Sequence, residues 1–215
     1  MSIPCREIFK DLADLQVEFT VKSGRFPEEK NMEILLASEN VQKRLLVMKV
    51  FYGRPPYYRR WVEVFSISRE LTFNSGIFRF IGSVYEERLI ECLSRFLEGG
   101  ERLFIDYMYD DETRRALELG IPPPLTRLGY MLLQRGFTWF KDWYYPEGFM
   151  EGGPKLQVEK PVDENSRKIH MEELCREVRD NLDRIRGFAI LDEYSWIASG
   201  VLKRIEGLSA VCRSI

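Results

Sequence analysis

The residues best equipped for chemistry gather in one stretch, Thr126 to Gln157, TRLGYMLLQRGFTWFKDWYYPEGFMEGGPKLQ. Glu147 and Glu151 flank glycines at Gly148, Gly152 and Gly153, and Lys155 follows. Carboxylates beside an aromatic wall can orient a cationic amine or accept a proton from it. Glycines there permit backbone conformations and close approaches that a Cβ forbids. A solvated loop with ordinary surface charges would read the same way. Just upstream, Trp139, Phe140, Trp143, Tyr144 and Tyr145 crowd together. They suit either an aromatic-walled pocket, in which Trp143, Asp142 and Lys155 meet a substrate, or the packing of a strand that is apolar on both faces and central in its sheet. Arg127 falls in the first turn of an expected helix, where a guanidinium and free N–H groups can hold an anion or where it can pair with Asp or Glu. Asp106, Asp110, Asp111 and Glu112 read as a cation site or as an acidic helix start.

Composition removes several function classes. The 215 residues are 45% hydrophobic and 31% charged, with a formal net charge of −2. That is the balance of one large globular domain, or of a domain with a helical appendage. It gives no support to broad nucleic-acid capture, which needs clustered cations. His170 is the only histidine, so a multi-histidine zinc site is excluded, and its context SRKIHMEEL reads as the flank of an amphipathic helix. No Walker loop, G-x-G-x-x-G, nucleophile elbow or zinc-protease helix occurs. The start, MSIPCREIFKDLADLQ, is charged where a leader would be apolar, and no apolar run reaches the roughly 18 residues of a span. A cytoplasmic protein without membrane contact is the expectation. Cys5, Cys92, Cys175 and Cys212 lie far apart and are expected as buried thiols, with a disulfide between distant members left open.

The elements that must position these groups follow from periodicity. Ile8, Leu12 and Leu15 space an N-terminal helix over residues 3–15. NMEILLASE, KRLLVMKVFYG, RWVEVFSIS and GIFRFIGSV read as strands, separated by the turns YGRPPYY and LTFNSG. From Tyr85 the repeat becomes helical through Leu97, ended by Gly99 and Gly100. RLFIDY is a strand with Leu103 and Ile105 on one face and Phe104 and Asp106 on the other. Asp110 caps DETRRALEL, IPPPL is extended, Thr126 caps RLGYMLLQR, and FTWFKDWYY is the aromatic strand. Beyond residue 160, Ile169, Leu174, Val178, Leu182 and Ile185 mark one helix, and Leu191, Tyr194, Ile197, Val201, Leu202 and Ile205 a second. This hairpin must bury its stripe on the core or on a second copy of the chain. The division expected is 1–160 for the α/β body and 161–215 for the helical extension. The fold class is α/β (α+β), a mixed, mostly antiparallel sheet flanked by helices with a C-terminal helical hairpin.

RLFIDY, a helical stretch and then LGYMLLQRGFTWFKDWYY resemble the second half of the GNAT-type N-acyltransferase fold, over roughly Asn31 to Tyr145. The string TRLGYMLLQRGFTWFKDWYYPEG also resembles a prokaryotic family of unknown function. The GNAT resemblance implies a small-ligand protein that takes acetyl-CoA or another acyl-CoA and transfers the acyl group to an amine, with no metal. It aligns the coenzyme A phosphate turn with GSVYEERL, where Gly82, Ser83, Arg88 and Arg127 remain to hold the anion. The turn's usual glycines are absent, and Glu86 and Glu87 would repel a pyrophosphate. On this resemblance Glu147 or Glu151 would deprotonate the amine, and Tyr130 or Tyr145 would protonate the leaving thiolate. The family's usual tyrosine position falls on Leu132, and Tyr130 lies about 200° round the helix from it. The alternative is a non-catalytic GNAT-like binding or assembly module, a homodimer through the C-terminal helices, because a fold can outlive its chemistry.

Overall fold

The computed structural model describes residues 16–38, 41–52, 60–67, 77–145 and 153–213. Strands β1 (Gln16–Ser23), β2 (Glu29–Ser38), β3 (Val41–Phe51) and β4 (Trp61–Ile67) follow one another as antiparallel neighbours. Helix α1 (Ile77–Phe96) then crosses over to β5 (Arg102–Asp106), which lies parallel to β4. Next come α2 (Asp111–Glu118), a 3₁₀ turn at Pro123–Leu125, α3 (Arg127–Leu133), β6 (Trp139–Tyr145) and β7 (Gly153–Glu159). The chain closes with α4 (Glu164–Ala189) and α5 (Ser195–Arg213). Among the described residues the strands form one seven-stranded sheet in the order β1-β2-β3-β4-β5-β7-β6.

Alternation decides which face is dry. Met32 and Ile34, Leu46, Met48 and Val50, Val62 and Val64, Leu103 and Ile105, and Leu156 and Val158 project to one side. There they meet Leu89, Leu93 and Phe96 of α1 and Leu128 and Leu132 of α3. A second cluster joins Ala116, Ile121 and Leu125 to Leu174, Val178 and Ile185 of α4 and Val201, Ile205 and Leu208 of α5. The hairpin therefore buries its stripe against its own chain. Arg204 adds a tether, donating to the Leu125 carbonyl at 3.0 Å and pairing with Glu112.

Several expectations change. IFRFIGSV, the described part of GIFRFIGSV, is the opening of α1, not a strand. Its alternating phenylalanines mimic a period of two, but Ile81, Tyr85, Leu89, Cys92 and Phe96 carry a single helical repeat. The aromatic strand β6 is the sheet's outer strand, with β7 inserted between it and β5. Trp143 is accordingly 39% exposed, and Lys141 Nζ sits 3.8 Å from its ring centre. Strands β1 and β7 had no strand assignment from sequence, and IPPPL closes into the 3₁₀ turn. Ile169 and Leu191 lie off the buried stripe, 47% and 51% exposed. The described cysteines are not thiols: Cys175 and Cys212 form a disulfide between α4 and α5, and no described cysteine is free. The caps hold, with Asp110 accepting from the Thr113 amide and Thr126 from the Gly129 amide. The expected helix at 3–15 and the turn LTFNSG lie outside the described residues, as does most of YGRPPYY. No helix among the described residues is long and apolar enough to cross a membrane.

Candidate functional site

Strands β4 and β5 pair from Trp61↔Arg102 to Val64↔Ile105, and the ladder stops there while β4 runs on through Phe65, Ser66 and Ile67. On the other edge of β4, Met48 pairs Val64 and Val47 pairs Ser66, so Phe65 is an inserted bulge residue. A bulge bends and twists its strand, and the end of this ladder (the mouth) lies at the carboxyl ends of the only parallel neighbours among the described strands. Open α/β sheets bind ligands at such ends.

Ionisable groups flank the mouth on both faces of the sheet. On the face away from α1, Glu63 of β4 and Lys155 of β7 are each 1% exposed and approach to 3.3 Å. Their strands are separated by β5, so Lys155 reaches across it from its register partner Asp106 toward Glu63. The Phe65 ring is bracketed by the ammonium groups of Lys49 and Lys155, at 4.8 and 5.4 Å from its centre. Charges buried this deeply persist only when paired.

On the helical face, one guanidinium serves two carboxylates. Arg127 donates to Glu86 Oε1 and to Asp110 Oδ2, each at 2.9 Å, and its second nitrogen bonds Glu86 Oε2. Glu86 and Asp110 are fully buried. Tyr109 donates to Glu86 at 3.3 Å, and the Thr113 hydroxyl donates to Asp110 at 2.9 Å. Burial alone would lower the Arg127 pKa, but the hydrogen bonds and charges of Glu86 and then Asp110 outweigh it and hold the group well above its ordinary value. Beside this network Tyr107 donates to Asp142 at 2.9 Å, and burial followed by that carboxylate pushes the phenol above its usual pKa.

The predicted site residues thus separate. Lys155 and Asp142 come to the mouth. Arg127 comes there too, but its guanidinium is held by the protein's own carboxylates rather than offered to an anion. Gly82 and Ser83 lie inside α1, beyond the first turn whose N–H groups are free, so they supply no phosphate turn; Arg88 is half-buried farther along the same helix. Tyr130 turns to α5: a Cβ added at Gly207 would sit 2.5 Å from its hydroxyl. Trp143 and Tyr145 are on the outer strand, with Tyr145 opposite Gly153 where β7 returns. Glu147 and Glu151 lie outside the described residues. The acidic run divides among separate partners, Asp106 to the Met108 amide, Asp110 to Arg127, Asp111 to Arg114 and Glu112 to Arg204.

Glu63, Glu86 and Tyr107 carry the site and were missed. A lone acid in the apolar strand WVEVF was the available signal for Glu63. Glu86 sits on the Ile90–Leu93 stripe, which a strand assignment over Val84 hid.

Fold and site define a mixed α/β protein with an ion-paired mouth at its parallel strand pair. The chain belongs to the DUF1122 family of proteins of unknown function, whose pattern matches residues 13–185. It is similar to a crystal structure of a protein of unknown function, AQ1966 of Aquifex aeolicus VF5, at 37% identity over 89% of each chain with a TM-score of 0.63. No curated protein matches it.

Proposed function

We propose that the protein binds a small thioester ligand in the mouth between β4 and β5, as an acyl-CoA-dependent N-acyltransferase of GNAT-like architecture. The observation that carries this reading is the end of the parallel ladder at Val64↔Ile105 next to the Phe65 bulge. A ligand chain entering there can be met by the β4 backbone that β5 no longer faces. The crossover through α1, the strand order and the RGF phrase before β6 agree with it. In the transfer, an amine attacks the thioester carbonyl, the carbon–nitrogen bond forms and the carbon–sulfur bond breaks. The amine's proton needs a carboxylate, Glu63 at the mouth or Glu147 and Glu151 in the β6–β7 connection, and the thiolate takes a proton from a group such as Tyr145.

Melting the protein with and without millimolar acetyl-CoA tests the reading. Ligand at about 100 times its dissociation constant stabilises by about 2.7 kcal/mol, a shift of several degrees. No shift would remove the thioester site. The second reading, a non-catalytic GNAT-like binding or assembly module, is favoured by the exposed Ile190, Leu191 and Trp196 at the hairpin turn. Light scattering separates them: a strictly monomeric protein would remove the self-assembly version.

A further inference from the structure

A cleft of about 630 Å³ opens between α3, the start of β6, and helices α4 and α5. It is not part of the mouth. Trp139, next to its lining residue Thr138, stands in register with Glu159 and through it with Arg102, at the beginning of β5 rather than its end. The cleft and the mouth therefore occupy opposite ends of the sheet.

Three layers of chemistry line it. Leu133, Met171 and Leu208 provide an apolar floor. Tyr130, Gln134 and Asn165 add polar lining, with the Tyr130 hydroxyl beside Gly207, and among the described residues none of these side chains has a hydrogen-bond partner. At the rim, among the described residues, Arg167 and Lys168 pair with exposed neighbours on their own helix, Glu164, which also lines the cleft, at 3.6 Å and Glu172 at 3.9 Å. Pairs of that kind are weak and exchange readily for a ligand anion. The walls are also fixed in advance. Cys175 lies one turn beyond Met171 and Cys212 one turn beyond Leu208, so their disulfide clamps α4 to α5 beside the floor. A site set before binding loses less freedom when it is filled.

Gly207 adds to this. Glycine inside a helix is unfavourable, yet here it lets the Tyr130 hydroxyl approach α5 at the cleft's edge. The volume lies within the roughly 300–1,000 Å³ of small-molecule pockets, and the mix of apolar floor and convergent polar groups is theirs as well.

We infer that this cleft is a second ligand site, independent of the mouth, for a small amphipathic anion. Its apolar or aromatic body rests on Leu133, Met171 and Leu208. Its polar edge bonds Tyr130, Gln134 and Asn165, and its anionic group meets Arg167 and Lys168.

The probe is 1-anilinonaphthalene-8-sulfonate, an aromatic anion of suitable size, followed by its fluorescence on the full chain. One molecule should bind with a dissociation constant of roughly tens of micromolar, from the per-atom affinity of ligands of this size. Asn165→Trp fills the rim and should remove the signal. Lys168→Glu should weaken binding by about fivefold, the scale of one exposed charge. Glu173→Trp, on the same helix away from the cleft, should leave binding unchanged. All three positions are exposed, so circular dichroism should stay native. No binding at millimolar probe, a signal that survives Asn165→Trp, or equal loss in Glu173→Trp would each overturn the site.

Discussion

Replacing Arg127 by methionine keeps most of the side chain's bulk and deletes its charge and all its hydrogen bonds to Glu86 and Asp110. Both carboxylates are 0% exposed, so neither can turn to water. Asp110 keeps the Thr113 hydroxyl at 2.9 Å, while Glu86 keeps only the longer Tyr109 contact among the bonds described above. Breaking a buried ionic network from one side costs about 3–5 kcal/mol, against about 0–1 kcal/mol for an exposed pair. For a chain of this length each kcal/mol moves the melting temperature by about 2–4 °C, so Arg127→Met should melt roughly 10 °C lower. Urea denaturation followed by circular dichroism reads the free energy directly, with an unchanged dependence on denaturant expected. Adding Glu86→Gln to the variant should recover about half of the loss, because a buried amide is cheaper than a buried carboxylate. Arg114→Met removes two exposed pairs, with Asp111 and Glu118, and should leave the urea midpoint close to that of the native protein. If Arg127→Met cost no more than Arg114→Met, or if Glu86→Gln deepened its loss, the network would not be the buried triad described.

Other perturbations test separate parts of the structure. The Cys175–Cys212 bridge spans 37 residues, and opening it should cost about 3–4 kcal/mol on the chain-entropy account; melts that coincide with and without dithiothreitol would speak against it. Gly129→Ala would drive a Cβ to 1.8 Å from the Pro123 carbonyl oxygen, a backbone atom that cannot step aside. It should destabilise by at least about 2 kcal/mol in urea, and a gain from alanine's better helix propensity would refute the close approach. Tyr107 is protonated in the fold at pH values where the unfolded chain's phenol ionises, near 10.0. Its stabilisation is therefore complete below pH 10 and declines as pH rises above it. Tyr107→Phe should cost about 1 kcal/mol near pH 8 for the lost bond to Asp142, and the gap from the native protein should narrow as pH rises past 10; a gap that widened would invert the assignment.

Local signals carried much of the fold. β2, β3, β4 and β5 announce themselves by alternating apolar residues, and Asp110 and Thr126 by side chains that fit the free amides of the helices they start. These are short-range effects, decided within a few residues. The errors fall where neighbouring patterns compete. IFRFIGSV satisfies a strand for a few positions and a helix over its whole length, and packing of the longer repeat prevails. The aromatic richness of β6 suggested a central strand, but strand order depends on which later segment pairs with β5, and β7 takes that place.

The functional region shows the same division most clearly. The sequence alone determined that Arg127 heads a helix and that Asp110 caps one. Only the tertiary structure decided that Arg127 faces Glu86 and Asp110, across sequence separations of 41 and 17 residues. It likewise decided that Lys155 crosses β5 to reach Glu63 and that Tyr130 turns from the mouth toward α5. Charge pairing in a dry interior is a property of positions brought together by strand order and helix packing. No spacing along the chain encodes it.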